Sequence, residues 1–208
     1  NFEGQDSYEV FASTVLGSNN DLWQSIFEKN NQTYQPPTLV LFRTATQSSC
    51  GTATSQIGPH YCPIDKTIYL DETFFDELTN LLGAKGGDVA EAYVIAHEIG
   101  HHIQNELGIM DQVNQDNTDN NLSINLELQA DCFAGLWANS IKDEGVFLPG
   151  EINEAMDAAA AVGDDRIQKK TVGRIEPETW THGSAEQRVE WFTKGYQSGT
   201  LTSCDTFN

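Results

Sequence analysis

Apolar side chains recur every three or four positions through residues 7–29, the spacing that places them on one face of an α-helix. The polar run Gly17-Ser18-Asn19-Asn20 interrupts this pattern, so we predict two helices with a break between them. Pro36-Pro37 closes the region, because proline does not fit a helix interior. We therefore predict that residues 1–37 form an N-terminal helical segment.

The next part of the chain alternates between short apolar runs and polar stretches. Residues 38–42 and 67–70 are rich in β-branched and aromatic side chains and predict two strands. The Thr-, Ser-, Gly- and Gln-rich residues 44–59 predict a loop, and residues 73–82 predict a short helix. Because helical patterns fill most of the remaining chain, we predict one α+β domain over residues 38–208, with a small antiparallel sheet and a mostly helical second half.

A long helix is predicted in the middle of the chain. Asp88 and Glu91 fit a capping box at its start, and Gly108 suits its C-terminal cap. Apolar residues keep helical spacing between these ends. At the centre lies His97-Glu98-Ile99-Gly100-His101, which matches H-E-x-x-H.

The motif predicts a metal site. His97 and His101 lie about 40° apart on one helix face, where both rings can bind one Zn²⁺ ion. Glu98 stands beside that position, where it can take a proton from the attacking water. His102 lies about 140° from His97, so we expect it to be solvated or to support a ligand. Gly100 lacks a side chain and would let another segment pass close to the metal. A chance match is the alternative, but the mid-helix position favours metal binding.

A catalytic zinc ion normally has three protein ligands and one open position. Residues 123–137 predict a buried amphipathic helix that places Glu127 and Asp131 four positions apart on one face. These residues could also be ordinary surface acids, and an aspartate or a histidine could be the third ligand. The chain has no H-E-x-x-H-x-x-G-x-x-H extension, which disfavours a third histidine.

The order H-E-x-x-H and then E-x-x-x-D resembles the zincins with a glutamate ligand, the thermolysin-like and CAAX-prenyl-endoprotease-like peptidases. This resemblance implies that Glu127 is the third zinc ligand. It also implies that Asp131 accepts a hydrogen bond from the far nitrogen of His97, which fixes the tautomer of that ring. By the same resemblance, the strand at 67–70 is the edge strand along which a substrate peptide adds.

Further motifs occur in a fixed order along the chain. They are Cys50-Gly51-Thr52-Ala53-Thr54-Ser55, Gly58-Pro59-His60-Tyr61-Cys62-Pro63, Glu127-Leu128-Gln129-Ala130-Asp131-Cys132-Phe133-Ala134-Gly135, Gly163-Asp164-Asp165-Arg166-Ile167-Gln168 and Thr181-His182-Gly183-Ser184. Together they resemble a bacterial family of neutral zinc metallopeptidases, over roughly residues 38–207. The resemblance implies a zincin-like fold, a Zn²⁺ cofactor and a peptide or protein substrate.

His182 precedes the last predicted helix, residues 184–195, in which Ser184 and Gln187 fit a capping box. In the CAAX-prenyl-endoprotease-like enzymes a similar histidine and a following arginine lie near the metal, and the resemblance places His182 and Arg188 there. We predict that His182 is catalytic and donates a hydrogen bond to the oxyanion. The alternatives are a turn histidine and a surface salt bridge from Arg188.

Composition excludes several classes of partner. The 208 residues include 11 basic and 31 acidic side chains, a net charge of −20, which repels nucleic acid and anionic membrane surfaces. No run approaches the roughly eighteen apolar residues of a membrane-spanning helix, so we predict no membrane span in this chain. Composition does not determine the oligomeric state.

The four cysteines form no C-x-x-C pair, which favours two disulfides in an exported protein (secreted, periplasmic or at the cell surface). Of three possible pairings we favour Cys50–Cys62, which closes a short Gly/Pro-rich loop. The second bond, Cys132–Cys204, would then tie the C-terminal tail to the helix of Glu127. Four reduced, buried thiols in a cytosolic protein are the alternative.

These observations predict a zinc-dependent metallopeptidase in which a zinc-activated water attacks the peptide bond and Glu98 is the general base. One rival is a non-catalytic zinc-binding or interaction module on the same scaffold. Another is a hydrolase of non-peptide amides. The intact Glu98 argues against the first rival, because that residue is needed for catalysis and not for metal binding.

Overall fold

Helices make up most of the structure, and a small sheet lies in its first half. The structure is a computed structural model, and it describes residues 7–54, 57–74, 87–115, 120–147 and 150–207. The predicted helix at 73–82 lies almost wholly outside these residues. The helices are α1 Ser7–Lys29, α2 Asp88–Glu106, α3 Ile109–Gln115, α4 Asn120–Ile141, α5 Ile152–Ala161, α6 Asp164–Thr171 and α7 Ala185–Ser198. The strands are β1 Thr38–Phe42, β2 Ala45–Ser48, β3 Gly51–Thr54, β4 His60–Cys62 and β5 Thr67–Asp71. The predicted α+β class is confirmed.

α1 is a single continuous helix, so the predicted break at residues 17–20 is wrong. Polar side chains in this run form hydrogen bonds without interrupting the helix. Ser18 and Asn19 both donate side-chain hydrogen bonds to the carbonyl of Val15, and Trp137 of α4 donates its indole N–H to Ser18. Tertiary packing of this kind outweighs the weak helix propensity of glycine, serine and asparagine.

The main sheet has the strand order β1-β5-β4. β1 runs parallel to β5 and β4 runs antiparallel to it, so the predicted strands are confirmed but the sheet is mixed rather than antiparallel throughout. The prediction that residues 67–70 form the edge strand is wrong, because β5 has a neighbour on both sides and all five of its residues are buried. β4 is the edge strand that contacts α2.

A β-hairpin replaces the loop predicted over residues 44–59. β2 and β3 pair antiparallel, with Ser48 opposite Gly51. Two contacts with residues outside the hairpin stabilise its turn. The backbone N–H of Ser49 donates to Asp65 at 2.8 Å, and Cys50 is bonded to Cys62. These contacts with distant residues explain why local composition misses the hairpin.

The cysteines form the bonds Cys50–Cys62 and Cys132–Cys204, which are 12 and 72 residues apart in sequence. The Cys132–Cys204 bond fastens the C-terminal tail to α4, and Gln129 of α4 also donates a hydrogen bond to the carbonyl of Cys204 at 3.0 Å. The tail therefore supports the helix that carries Glu127.

Among the described residues, no helix is long and apolar enough to cross a bilayer.

Replacing each cysteine pair by alanine should destabilise the protein unequally. A cross-link stabilises by restricting the unfolded chain, so loss of the short loop should cost about 3 kcal/mol and loss of the long loop about 4 kcal/mol. Denaturant unfolding of the two double variants measures this order. Peptide mapping without reduction is the control for the pairing, and crossed pairs or free thiols would contradict it.

α2, α4 and α7 pack around a shared core that also includes side chains from α1 and the sheet. α4 and α7 cross closely at Gly135, where a Cβ atom would lie 2.0 Å from the carbonyl oxygen of Phe192. Trp23 of α1 packs edge-on against Phe133 of α4. α2 also packs against α4, and the candidate site lies between these two helices.

Candidate metal centre

A cleft of about 510 Å³ opens between α2, α4, β4 and the segment before α7. His97, Glu98 and His101 line it from α2, Glu127 from α4 and His182 from the last segment. Apolar side chains complete the walls of the cleft: Ile57, Phe74, Val94, Met110, Leu126 and Val162.

α2 starts at Asp88 with Gly87 as its N-cap, so the predicted capping box at Asp88 is wrong. The rest of the helix, including the motif at its centre, lies where the sequence predicts.

Two histidines and one carboxylate face one another in this cleft. The Nε2 atom of His97 lies 3.2 Å from one oxygen of Glu127, and the Nε2 atom of His101 lies 3.4 Å from the other. One donor atom from each residue lies within 4.8 Å of the other two. Among the described residues, this is the one group of His, Cys, Asp and Glu with such spacing. The structure therefore brings together the three residues expected to bind zinc.

Each histidine has its other ring nitrogen bound to an acceptor. Nδ1 of His97 donates to Asp131 at 2.9 Å, and Nδ1 of His101 donates to the side-chain oxygen of Gln104, also at 2.9 Å. When a ring is neutral, it then directs the lone pair of Nε2 toward the carboxylate of Glu127. Three electron-pair donors that converge in this way repel one another unless a proton or a metal ion lies between them. Two imidazoles and a carboxylate are a donor set that fits Zn²⁺.

The pKa values of His97, His101 and Glu127 are shifted in the directions that favour positive charge on the rings and negative charge on the carboxylate. Burial lowers the pKa of His97, but Asp131 and then Glu127 outweigh it and raise that pKa to about 9. Glu127 likewise raises the pKa of His101 against the effect of burial. Burial raises the pKa of Glu127, yet the facing rings hold it well below its usual value. A metal ion and protons would compete for the same nitrogens.

Asp131 is the centre of a buried network behind His97. Its side chain is fully buried, and Arg188 of α7 binds both of its oxygens, Nε to Oδ2 at 2.8 Å and Nη2 to Oδ1 at 3.0 Å. The hydroxyl of Tyr93 also donates to Oδ1. Burial raises the pKa of Asp131, but Arg188 and His97 together hold it below its usual value. Asp131 therefore stays an ionised acceptor for the ring of His97, and Arg188 is not a surface residue.

Arg188→Met should destabilise the protein by about 3–5 kcal/mol, because removal of one partner leaves the other charge buried and uncompensated. Denaturant unfolding measures this change. Arg174 is the matched control, since its ion pair with Glu176 is exposed and exposed pairs contribute little. Arg174→Met should leave stability nearly unchanged. Equal effects of the two substitutions would contradict the structural role of Arg188.

At Gly100, α2 and α4 approach each other closely. A Cβ atom on Gly100 would lie 2.9 Å from the Cα atom of Ala130 and 3.0 Å from its carbonyl oxygen. Ala130 lies between Glu127 and Asp131 in sequence. The prediction that another segment passes Gly100 is confirmed, and that segment is the helix carrying Glu127.

His182 lies at the rim of the cleft, with half of its side chain (51%) exposed. Its Nδ1 atom lies 3.2 Å from an oxygen of Asp164, and this hydrogen bond is the largest influence that raises the pKa of His182. The predicted capping box of Ser184 and Gln187 is confirmed at the start of α7. The structure thus places His182 beside the cleft, and in the described part of the chain no hydrogen bond joins it to the three donor residues.

Sequence reasoning missed several supporting residues and misjudged another. Tyr93 and Gln104 were overlooked, although each stands one helical turn from a motif histidine on the same face of α2, which is a usable signal. His102 is not solvated, and its ring nitrogens contact neither His97, His101 nor Glu127. It is fully buried, with Nδ1 3.0 Å from the hydroxyl of Tyr61 and Nε2 2.7 Å from the carbonyl of Gln35.

Comparison with known proteins identifies one family and a few relatives. The family model described as "Putative neutral zinc metallopeptidase" matches residues 2–207. A protein of Escherichia coli (strain K12), named YpfJ, is 46% identical over 209 residues, which cover 98% of this chain and 72% of that protein. A protein of Mycobacterium tuberculosis (strain ATCC 25618 / H37Rv), named Rv2575, is 44% identical over 216 residues, which cover 99% of this chain and 73% of that protein. Both relatives are uncharacterized proteins. No solved structure matches the chain.

Proposed function

This chain belongs to the neutral zinc metallopeptidase family whose model it matches over residues 2–207, and we propose that it hydrolyses peptide bonds. In this proposal His97, His101 and Glu127 bind one Zn²⁺ ion. The observation that carries it is the convergence of two imidazole Nε2 atoms on one carboxylate, each ring being fixed by a second acceptor. Two imidazoles and one carboxylate are the donor set of a common class of catalytic zinc site.

A bound zinc ion lowers the pKa of water and polarises the carbonyl of the substrate. Glu98 follows His97 in the helix and lines the cleft, with 7% of its surface exposed. Its carboxylate would take the proton of the attacking water and pass it to the leaving amine. Asp131 would keep the proton of His97 on Nδ1, so that Nε2 stays free to bind metal.

The substrate would lie along β4, the edge strand next to α2. Extended peptides add to such edges through backbone hydrogen bonds, and His60 and Tyr61 of β4 line the cleft. The apolar walls would accommodate a hydrophobic side chain of the substrate. His182 at the rim would donate a hydrogen bond to the oxyanion.

The decisive test is zinc content measured together with proteolysis. Purified protein should contain one zinc per chain and cleave an unfolded protein such as reduced casein. A chelator should stop cleavage, and added zinc should restore it. Bound zinc without cleavage of any unfolded protein or peptide would favour a non-catalytic module and reject the peptidase proposal.

We also infer that the protein functions outside the reducing cytosol. Both cysteine pairs are bonded in the structure, and disulfides persist mainly in oxidising compartments. The full chain in its native host, fractionated and mapped without reduction, would test this inference. Fully reduced cysteines in the native protein would contradict it.

A further inference from the structure

Asp164, the first residue of α6, binds the segment that carries His182. One of its oxygens accepts three successive backbone N–H groups, those of Thr181 at 2.8 Å, His182 at 2.7 Å and Gly183 at 3.1 Å. Its other oxygen lies 3.2 Å from Nδ1 of His182. We propose that Asp164 is the positioning residue of His182, holding both its backbone and its ring at the rim of the cleft. This proposal rests on the proposed function for its catalytic consequence.

Further contacts fix the same segment, so the ring is attached to a rigid support. The backbone N–H of Asp164 donates in return to the carbonyl of Gly183 at 2.9 Å. Ser123 of α4, four residues before Glu127, donates its hydroxyl to the carbonyl of Thr181 at 3.0 Å. The segment is therefore fastened both to α6 and to the helix that carries Glu127. The side chain of His182 is half exposed, and its Nδ1 atom contacts two oxygens, the hydroxyl of Thr181 at 3.0 Å and the carboxylate of Asp164 at 3.2 Å. Asp164 is the charged member of this pair.

This arrangement determines which ring nitrogen of His182 can donate a hydrogen bond to a substrate in the cleft. Because Nδ1 faces the carboxylate of Asp164, Nε2 is the nitrogen left for a substrate oxygen. Nε2 carries a hydrogen only when the ring is protonated, since Nδ1 keeps its own hydrogen for Asp164. A protonated ring can donate to both oxygens at once. The neighbouring carboxylate thus favours the form of His182 that can stabilise an oxyanion.

Charged groups from three elements act on His182. Asp164 of α6 raises its pKa most strongly through the hydrogen bond, while burial of the ring lowers that pKa. Glu127 of α4 raises it further, and Arg188 of α7 lowers it. Removing the charge of Asp164 should therefore lower the pKa of His182. Activity that needs the protonated ring would then decline at a lower pH than in the wild type.

A double-mutant cycle tests whether Asp164 acts through His182. In the zinc-loaded protein, Asp164→Asn should lower kcat/KM by roughly tenfold or more, because the neutral amide no longer favours the protonated ring that donates from Nε2. In the His182→Ala background the same substitution should change kcat/KM by less than about twofold, since residues that act as one unit are not additive. An equal loss in both backgrounds, or no loss in either, would overturn the proposal.

Asp165→Asn is the matched control for loss of a neighbouring turn carboxylate. Asp165 accepts the backbone N–H of Ala185 at 2.7 Å, and no hydrogen bond joins it to His182 in the described structure. This variant should keep wild-type kcat/KM and its pH profile, even if its melting temperature falls. Should Asp164→Asn not fold, Asp164→Ser provides the second variant, because a hydroxyl can accept a loop N–H but does not reach the ring.

An NMR titration makes the outcome independent of peptidase activity. The ring signal of His182 is assigned by its absence in His182→Ala. Its pKa should be lower in Asp164→Asn than in the wild type, and unchanged in Asp165→Asn. If the wild type cleaves nothing, the proposed function fails while this titration still decides the positioning role. An unchanged titration of His182 in Asp164→Asn would overturn that role.

Discussion

Glu98→Gln should retain one zinc per chain while losing roughly 10²- to 10⁴-fold in kcat, the usual contribution of a general base. Glutamine has the same size as glutamate but cannot take the proton of the attacking water. The three donor residues are unchanged by this substitution, so metal binding should persist. Rates on a peptide substrate and metal analysis of the same preparation measure both quantities.

Glu106→Gln is the matched control for this experiment. Glu106 lies at the end of the same helix, where it pairs with Lys66 at 2.6 Å, and it is absent from the cleft lining. The variant should keep wild-type kcat. A zinc-loaded Glu98→Gln protein with wild-type rates, free of contaminating protease, would reject Glu98 as the general base.

His101→Ala and Glu127→Ala should each lose stoichiometric zinc and, with it, all chelator-sensitive cleavage. A catalytic zinc site has three protein ligands, and it binds metal far more weakly when one of them is lost. Metal analysis after dialysis measures the loss. The melting temperature should also stop responding to added zinc, because a ligand stabilises only the state that binds it.

The adjacent histidine separates loss of a ligand from loss of packing. His102 is fully buried and contacts Tyr61 and Gln35 rather than Glu127. His102→Ala should therefore be less stable than the wild type yet keep one zinc per chain. Full zinc content in both His101→Ala and Glu127→Ala would refute the assigned ligand set.

The sequence predicts the parts of this molecule that depend on short-range pattern. The helical spacing around His97 and the apolar runs at residues 38–42 and 67–70 predict α2, β1 and β5, because each pattern lies within one short segment of the chain. The spacing of Glu127 and Asp131 on one helix face is equally local. Their partnership with the motif histidines came from a resemblance, since spacing within one helix cannot place it against another.

Features that depend on distant contacts were mispredicted or missed. α1 continues through residues 17–20 because Trp137, far along the chain, donates a hydrogen bond to the polar surface there. The role of β4 as the edge strand depends on which strand lies in the middle of the sheet, and sequence order does not determine this. In the sequence, nothing distinguishes Asp164 from the other acidic residues. Its contacts with residues 181–183 form only in the folded chain.

The close approach of α2 and α4 has a consequence for the motif itself. H-E-x-x-H is written with two free positions, but neither is free here: Ile99 is fully buried in the core and Gly100 faces the backbone of Ala130. A methyl group at position 100 would push α4 outward and carry Glu127 away from the histidines, whereas zinc–ligand distances tolerate only about 0.2 Å of change. Side-chain volume at position 100 is thus coupled to the path of a second helix, and we expect substitutions at positions 100 and 130 to occur together among related chains that keep His97, His101 and Glu127.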